Sequence, residues 1–220
     1  MSKVFIGVGH GGSDSGAVAN NVKEKDLNLQ IALACKDYLT QHGVEVKMSR
    51  TKDENAPLSE EIRECNIFSP DLAVDIHNNA GGGDGAEVFH HYGGGKGKTL
   101  ATNILDEIIK IGQNSRGVKT RKNSAGRDYY GFIREITAPA VIVECAFVDN
   151  ATDIEILATE CKKKTMGQAI AKGILKTLGV EIKGDSIYRV QVGAYSEKSN
   201  AEAMLEKLKS AGFAGYIKQG

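Results

Sequence analysis

The sequence predicts an α/β fold, a three-layer α/β/α domain with a mostly parallel sheet, followed by a small C-terminal βαβ module. Three observations predict it. Short β-branched apolar runs alternate with helical stripes as far as Leu178. Those runs are apolar with little interruption, as in strands buried on both faces. A polar stretch from Gly179 to Ser186 then sets off one last strand, helix and strand.

Taken in order, Val4 to Val8 reads as a buried strand. Glu24 to Gln41 carries apolar residues at Leu27, Ile31, Ala34, Cys35 and Tyr38, a helical stripe that His42-Gly43 stops. Val44 to Met48 alternates like a strand, Pro57 opens a helix reaching about Phe68, and Leu72 to His77 is again β-rich. After the turn signal Gly81-Gly-Gly-Asp-Gly85, Ala86 to Tyr92 predicts a strand and Thr99 to Ile111 a helix. Pro139 precedes the apolar strand Ala140 to Val143, and Asp153 to Leu178 is helical in two pieces. Beyond the polar stretch, Ile187 to Val192, Glu197 to Ser210 and Ala214 to Ile217 form an isolated βαβ unit. The expected boundaries are a first domain over 1–180, a linker over 181–186 and a small module over 187–220.

Composition narrows the function classes. Lys+Arg and Asp+Glu both number 28, so the formal charge is zero and no long-range attraction to nucleic acid or anionic lipid is expected. No run approaches the roughly 20 apolar residues of a membrane helix, and the apolar run at the N-terminus is too short for a signal peptide. The expectation is therefore synthesis in the cytoplasm, with no membrane partner. Cys35, Cys65, Cys145 and Cys161 are widely spaced, with neither a C-x-x-C pair nor a disulfide framework, and read as reduced thiols.

Chemistry gathers at the carboxyl ends of three predicted strands, where open α/β sheets bind ligands: His10, His77 and Glu144. Glu24, at the start of the first helix, comes back beside His10 if the intervening Gly-containing loop is short. Two histidines and one glutamate are a ligand set for catalytic zinc that leaves a fourth position for water. Glu144 is then the further carboxylate that takes the water's proton, and the chemistry implied is amide hydrolysis. Each residue alone has a plainer reading: a strand-end histidine bonding a carbonyl, or a first-turn acid facing the helix dipole.

Gly9-His-Gly-Gly-Ser-Asp-Ser-Gly-Ala17 with Glu24-Lys-Asp-Leu-Asn-Leu29 resembles the opening of the zinc-type N-acetylmuramoyl-L-alanine amidases known as amidase 3. Ser49-Arg-Thr-Lys-Asp53, Asp75-Ile-His-Asn-Asn-Ala80, Phe132-Ile-Arg134 and Pro139-Ala-Val-Ile-Val-Glu-Cys-Ala-Phe-Val-Asp-Asn150 follow in that family's order and are similar to its motifs. The resemblance covers about Val4 to Leu178. It implies that His10, Glu24 and His77 hold zinc, that Glu144 is the general base, and that the bond cut joins N-acetylmuramic acid of peptidoglycan to L-alanine. The sequence departs from the family pattern at Asp75, in place of a serine, at Asn78, and at Cys145-Ala146, where glycine is usual after the glutamate. By strand alternation Asp75 faces the same side as His77, as an acceptor behind it or as a filler of a polar pocket.

Other signals carry less. Gly93-Gly-Gly-Lys-Gly-Lys-Thr99 imitates a phosphate loop, but Tyr92 stands where the first glycine is required. His90 and His91 fall on opposite sides of a strand and are given no metal role. A cysteine hydrolase using Cys145 with His77 as base needs an exposed, electropositive thiolate, and Cys145 instead follows Val143 on a core-facing side.

The terminal stretch from Tyr188-Arg-Val-Gln-Val-Gly-Ala-Tyr-Ser196 to Ile217 resembles half of the sporulation-related (SPOR) repeat that binds glycan strands. Half a repeat leaves sheet edges uncovered, so a homodimer through residues 187–217 is expected, or folding of the half-repeat onto the first domain. The function expected of the whole is peptidoglycan hydrolysis after release from an opened cell, as by a phage endolysin or a mother-cell autolysin. The alternative is a non-catalytic peptidoglycan-binding protein on the same fold.

Overall fold

Strand alternation dominates the architecture seen in a computed structural model of the protein, which describes residues 1–182, 191–213 and 215–218. The chain divides into two units, Met1–Lys183 and Gly184–Gly220.

In the first unit the elements run β1 (Lys3–Val8), β2 (Val18–Ala19), β3 (Val22–Lys23), α1 (Glu24–Gln41), β4 (Glu45–Met48), α2 (Leu58–Phe68) and β5 (Leu72–Asn79). They continue as β6 (Ala86–His90), α3 (Gly95–Lys110), β7 (Ser115–Lys119), α4 (Gly131–Glu135), β8 (Ala140–Phe147), α5 (Ala151–Glu155) and α6 (Glu160–Leu178). Six strands form one sheet in the order β4-β1-β5-β8-β6-β7, parallel throughout except where β6 runs antiparallel to β8. The short strands β2 and β3 pair as a separate antiparallel hairpin.

The two sheet faces bury different side chains because successive residues of a strand point in opposite directions. On one face Val4, Ile6, Val8, Val74, Ile76, Val141 and Val143 pack against α1, α3 and α6 through Ile31, Ile104 and Ile170, all essentially inaccessible to solvent. Truncating any of these isoleucines to alanine costs about 2–5 kcal/mol by the usual core rule. On the other face Phe5, Ala73, Phe89 and Ile142 meet Cys65 of α2 and Phe132 of α4. Three layers result, with β1, β5 and β8 central and buried on both sides.

Helix α1 occupies the predicted span, and Gly43, with φ 76°, turns the chain out of it. Strand β8 outruns its apolar prediction by four residues, so that Glu144 lies within it, and β5 runs two residues past His77. Helix α3 begins at Gly95, so the glycine-rich Gly93–Thr99 stretch becomes a turn and the first turn of a helix.

In the second unit the expected helix is present as α7 (Lys198–Ser210). Of the strand expected over 187–192, all but its last two residues fall outside the described residues, as do Ala214 and most of the linker over 181–186. The described flanks Gln191–Tyr195 and Gly215–Lys218 carry no strand.

Candidate metal centre

The site begins where β1 ends. Gly9 keeps the ladder going by donating its N–H to the Ile76 carbonyl at 3.1 Å. A Cβ at Gly9 would stand 2.2 Å from Cε1 of His77, so only glycine lets β1 pass beside that ring. His10 follows in the left-handed region, with φ 61°. The chain then turns, forms the β2–β3 hairpin and returns Glu24, first residue of α1, to His10.

His10 Nε2 lies 3.2 Å from Glu24 Oε2, and His77 Nδ1 lies 3.0 Å from Glu24 Oε1. One donor atom from each of the three residues falls within 4.8 Å of the others, close enough to share a metal ion. The outward nitrogens are also engaged: His10 Nδ1 is 2.8 Å from Asp14 Oδ2, and His77 Nε2 is 3.2 Å from Asp75 Oδ2.

Glu24 is steered by bonds to its oxygens. Oε2 accepts from the Ala17 N–H at 3.0 Å, and Oε1 from the Asn78 N–H at 3.2 Å and from Asn28 Nδ2 at 3.3 Å. Asn28 also donates to the Gly9 carbonyl and accepts from Asn78 Nδ2 at 2.8 Å, tying α1 to both β1 and β5. Beneath the loop, the fully buried Arg50 donates to the carbonyls of Val8, Gly9, Lys25 and Lys52. Asp53 accepts from the Gly12 N–H and pairs with Lys25 Nζ at 2.7 Å. The Ser49–Asp53 motif thus clamps the His10 loop, a role that its sequence alone does not signal. The signal for Asn28 was its place one turn after Glu24 on the same helix face.

The electrostatics suit a cation. Burial disfavours the charged Glu24 carboxylate, yet the bonds to His10 and His77 hold it far below the usual carboxylate range. The bond to Glu24 raises His10. His77 is raised well above an ordinary histidine against the cost of its burial, by the charge and hydrogen bond of Asp75 and the bond to Glu24. A pocket that draws a proton onto each imidazole draws a metal cation for the same reason.

Glu144 is the direct register partner of His77 across β5 and β8, and of Glu87 across β8 and β6. The three side chains therefore share one face of the sheet. Burial pushes the Glu144 carboxyl up to about 7, with attraction to His77 opposing. Its Oε2 is buried with no hydrogen-bond partner among the described residues. Glu87 is itself neutralised by Lys119 and by Arg116, the latter at 2.7 Å.

The remaining sequence candidates separate cleanly. Cys145 lies in the core against α1, α3 and α6, on the face away from His77, and burial raises its thiol well above the ordinary range, so no reactive thiolate is available there. His90 Nδ1 bonds the His91 carbonyl, and His91 Nε2 pairs with Asp128 at 2.9 Å, leaving both apart from the cluster. Asp75 does more than fill a pocket, since it reaches His77.

The profile of a family described as N-acetylmuramoyl-L-alanine amidase (Amidase_3) matches residues 4–176. The chain belongs to this amidase family. Two relatives support the assignment along nearly the whole chain. The N-acetylmuramoyl-L-alanine amidase CwlM of Bacillus licheniformis is 35% identical over 99% of this chain and 85% of its own. The sporulation-specific N-acetylmuramoyl-L-alanine amidase of Bacillus subtilis (strain 168) is 34% identical over 99% of this chain and 84% of its own. Among solved structures, Cwp6 from Clostridium difficile superposes with a TM-score of 0.79 at 40% identity, over 80% of this amidase-family chain and 29% of that longer one. A SPOR domain profile matches residues 141–219. Its first half falls on β8, α5 and α6, which belong to the amidase sheet and its cover, and its second half on the second unit.

Proposed function

We propose that this chain is a zinc-dependent peptidoglycan hydrolase that cuts the amide between the lactyl group of N-acetylmuramic acid and L-alanine. The observation that carries the reading is the His10–Glu24–His77 cluster with Glu144 in register beside His77 and one of its oxygens unbonded. Two nitrogens and an ionised carboxylate are the donor set zinc takes in hydrolases, and the charge balance of the site favours a divalent cation. His10 Nε2, Glu24 and His77 Nδ1 would hold it. Bound zinc supplies acidification of a water and polarisation of the scissile carbonyl.

Everything else falls to the protein. Glu144 accepts the water's proton on its free oxygen and returns it to the amide nitrogen as that nitrogen leaves. A carboxyl poised near 7 suits both halves of the transfer, being basic enough to accept and acidic enough to return the proton. Glu24, bonded through both oxygens, keeps the two imidazoles at the cluster. The second unit, with its SPOR match, serves attachment to glycan strands, self-association through residues 187–217, or both.

The test is digestion of purified peptidoglycan with and without a zinc chelator. New L-alanine amino termini that vanish with chelator and return with zinc support the amidase. New reducing ends, or other new amino termini, exclude it. The absence of any product from folded, zinc-loaded protein favours the binding-only alternative.

A further inference from the structure

We propose that Asp75 is a positioning residue for the metal centre: its carboxylate accepts from His77 Nε2–H and so fixes the tautomer that turns Nδ1 toward His10 and Glu24. The inference rests on the zinc reading above and concerns a residue at which this chain departs from the family pattern.

Four observations converge. Asp75 and His77 stand two apart on β5 and so share a face, with Asp75 Oδ2 3.2 Å from Nε2 while Nδ1 is 3.0 Å from Glu24 Oε1. His77 thus offers one nitrogen to the cluster and the other to a carboxylate, the arrangement that orients histidine ligands and raises their basicity. His10 is held in the same way, with Nε2 toward Glu24 and Nδ1 on Asp14. Finally, the buried Asp75 carboxyl lies near Glu61 of α2. Its Oδ1 and Glu61 Oε1 of α2 both converge on the space a Gly7 side chain would fill, each 2.6 Å from that position.

Both of these oxygens are buried without a hydrogen-bond partner among the described residues. Two carboxylate oxygens cannot bond one another unless one of them carries a proton. Burial and the charge of Asp75 push Glu61 up to about 8, which makes Glu61 the partner able to carry that proton. Asp75 keeps its other oxygen on His77 Nε2. His77 would present Nδ1 to a metal at the cluster while its Nε2–H stays on Asp75.

Two measurements test this on the full chain. In the first, histidine-selective 15N NMR of the zinc-loaded protein is expected to show His77 protonated at Nε2 and metal-bound at Nδ1. Metal on Nε2 overturns the Asp75 role while leaving the zinc reading intact, whereas failure of the wild type to take up zinc overturns both. In the second, zinc affinity is measured by competition with a chromophoric chelator for wild type, Asp75→Ala and Asp75→Asn. The alanine variant is expected to lose about 10- to 100-fold in affinity. The asparagine variant, which still offers Nε2–H an acceptor, is expected to recover most of that loss. An alanine variant within twofold of wild type overturns the proposal, and the NMR measurement, made on wild type, stands even if that variant does not fold.

Discussion

Glu144 lies directly across the β5–β8 ladder from His77, so the candidate base and a candidate metal ligand are held in register by the same backbone hydrogen bonds. Their separation is set by sheet geometry rather than by a loop. Because no hydrogen bond from the described residues occupies Glu144 Oε2, Glu144→Gln is expected to abolish release of L-alanine termini, a loss of at least about 100-fold. Zinc uptake, measured as metal per chain, is expected to stay unchanged. Retained hydrolysis by a zinc-loaded variant would remove Glu144 from the mechanism.

Gly9→Ala tests how tightly β1 is fitted to His77. The added methyl meets the imidazole ring at 2.2 Å, and the ring or the strand has to give way. Weaker zinc binding is expected from a protein whose far-ultraviolet circular dichroism is unchanged. An affinity equal to wild type would mean that the ring has room to spare.

Arg50→Met removes the donor that four carbonyls around the His10 loop share. The Gly9 carbonyl keeps its bond from Asn28, but a buried acceptor left without a partner costs about 1–3 kcal/mol, so a lowered thermal midpoint and faster zinc loss to chelator are both expected. If zinc loss is unchanged in a destabilised variant, the arginine supports the fold without shaping the site.

Glu61 gives a pH signature to stability. Its folded-state value is pushed up to about 8 from an ordinary 4.5, so between those values the folded protein keeps a proton that the unfolded chain has released. Stability contributed by this group is therefore lost as pH rises through that window. Glutamine mimics the protonated form and does not ionise. The thermal midpoint of metal-free Glu61→Gln is expected to gain on wild type from pH 5 to pH 8.5, and a constant difference would contradict the assignment.

The second unit exposes Val192, Phe213 and Tyr216. The homodimer proposed through residues 187–217 predicts a sedimentation mass that rises with concentration toward twice that of the chain, and a return to the monomer mass in Phe213→Ser. A monomer at every concentration would eliminate it.

What the sequence made legible follows periodicity and motif. The stripe from Leu27 to Tyr38 located α1, and the apolar runs of β1, β5 and β8 pointed to His10, His77 and Glu144, although β5 and β8 run on past the last two. Strand β7, Ser-Arg-Gly-Val-Lys, escaped because an edge strand needs no apolar run and this one has a central glycine. The two-residue strands β2 and β3 and the five-residue α4 are too short to carry a period. The clamp by Arg50 and the link from Asn28 to Asn78 depend on contacts between segments far apart in sequence. No spacing rule records such contacts.

The partly exposed edge strand β7 has an effect two strands inward. Arg116 and Lys119 cancel the charge of Glu87, which otherwise adds to the repulsion felt by Glu144. The rim of the sheet thus acts as an electrostatic shield for its interior. Drift in the charge of this outer strand, far from any ligand, would retune the acidity of the catalytic edge without touching it.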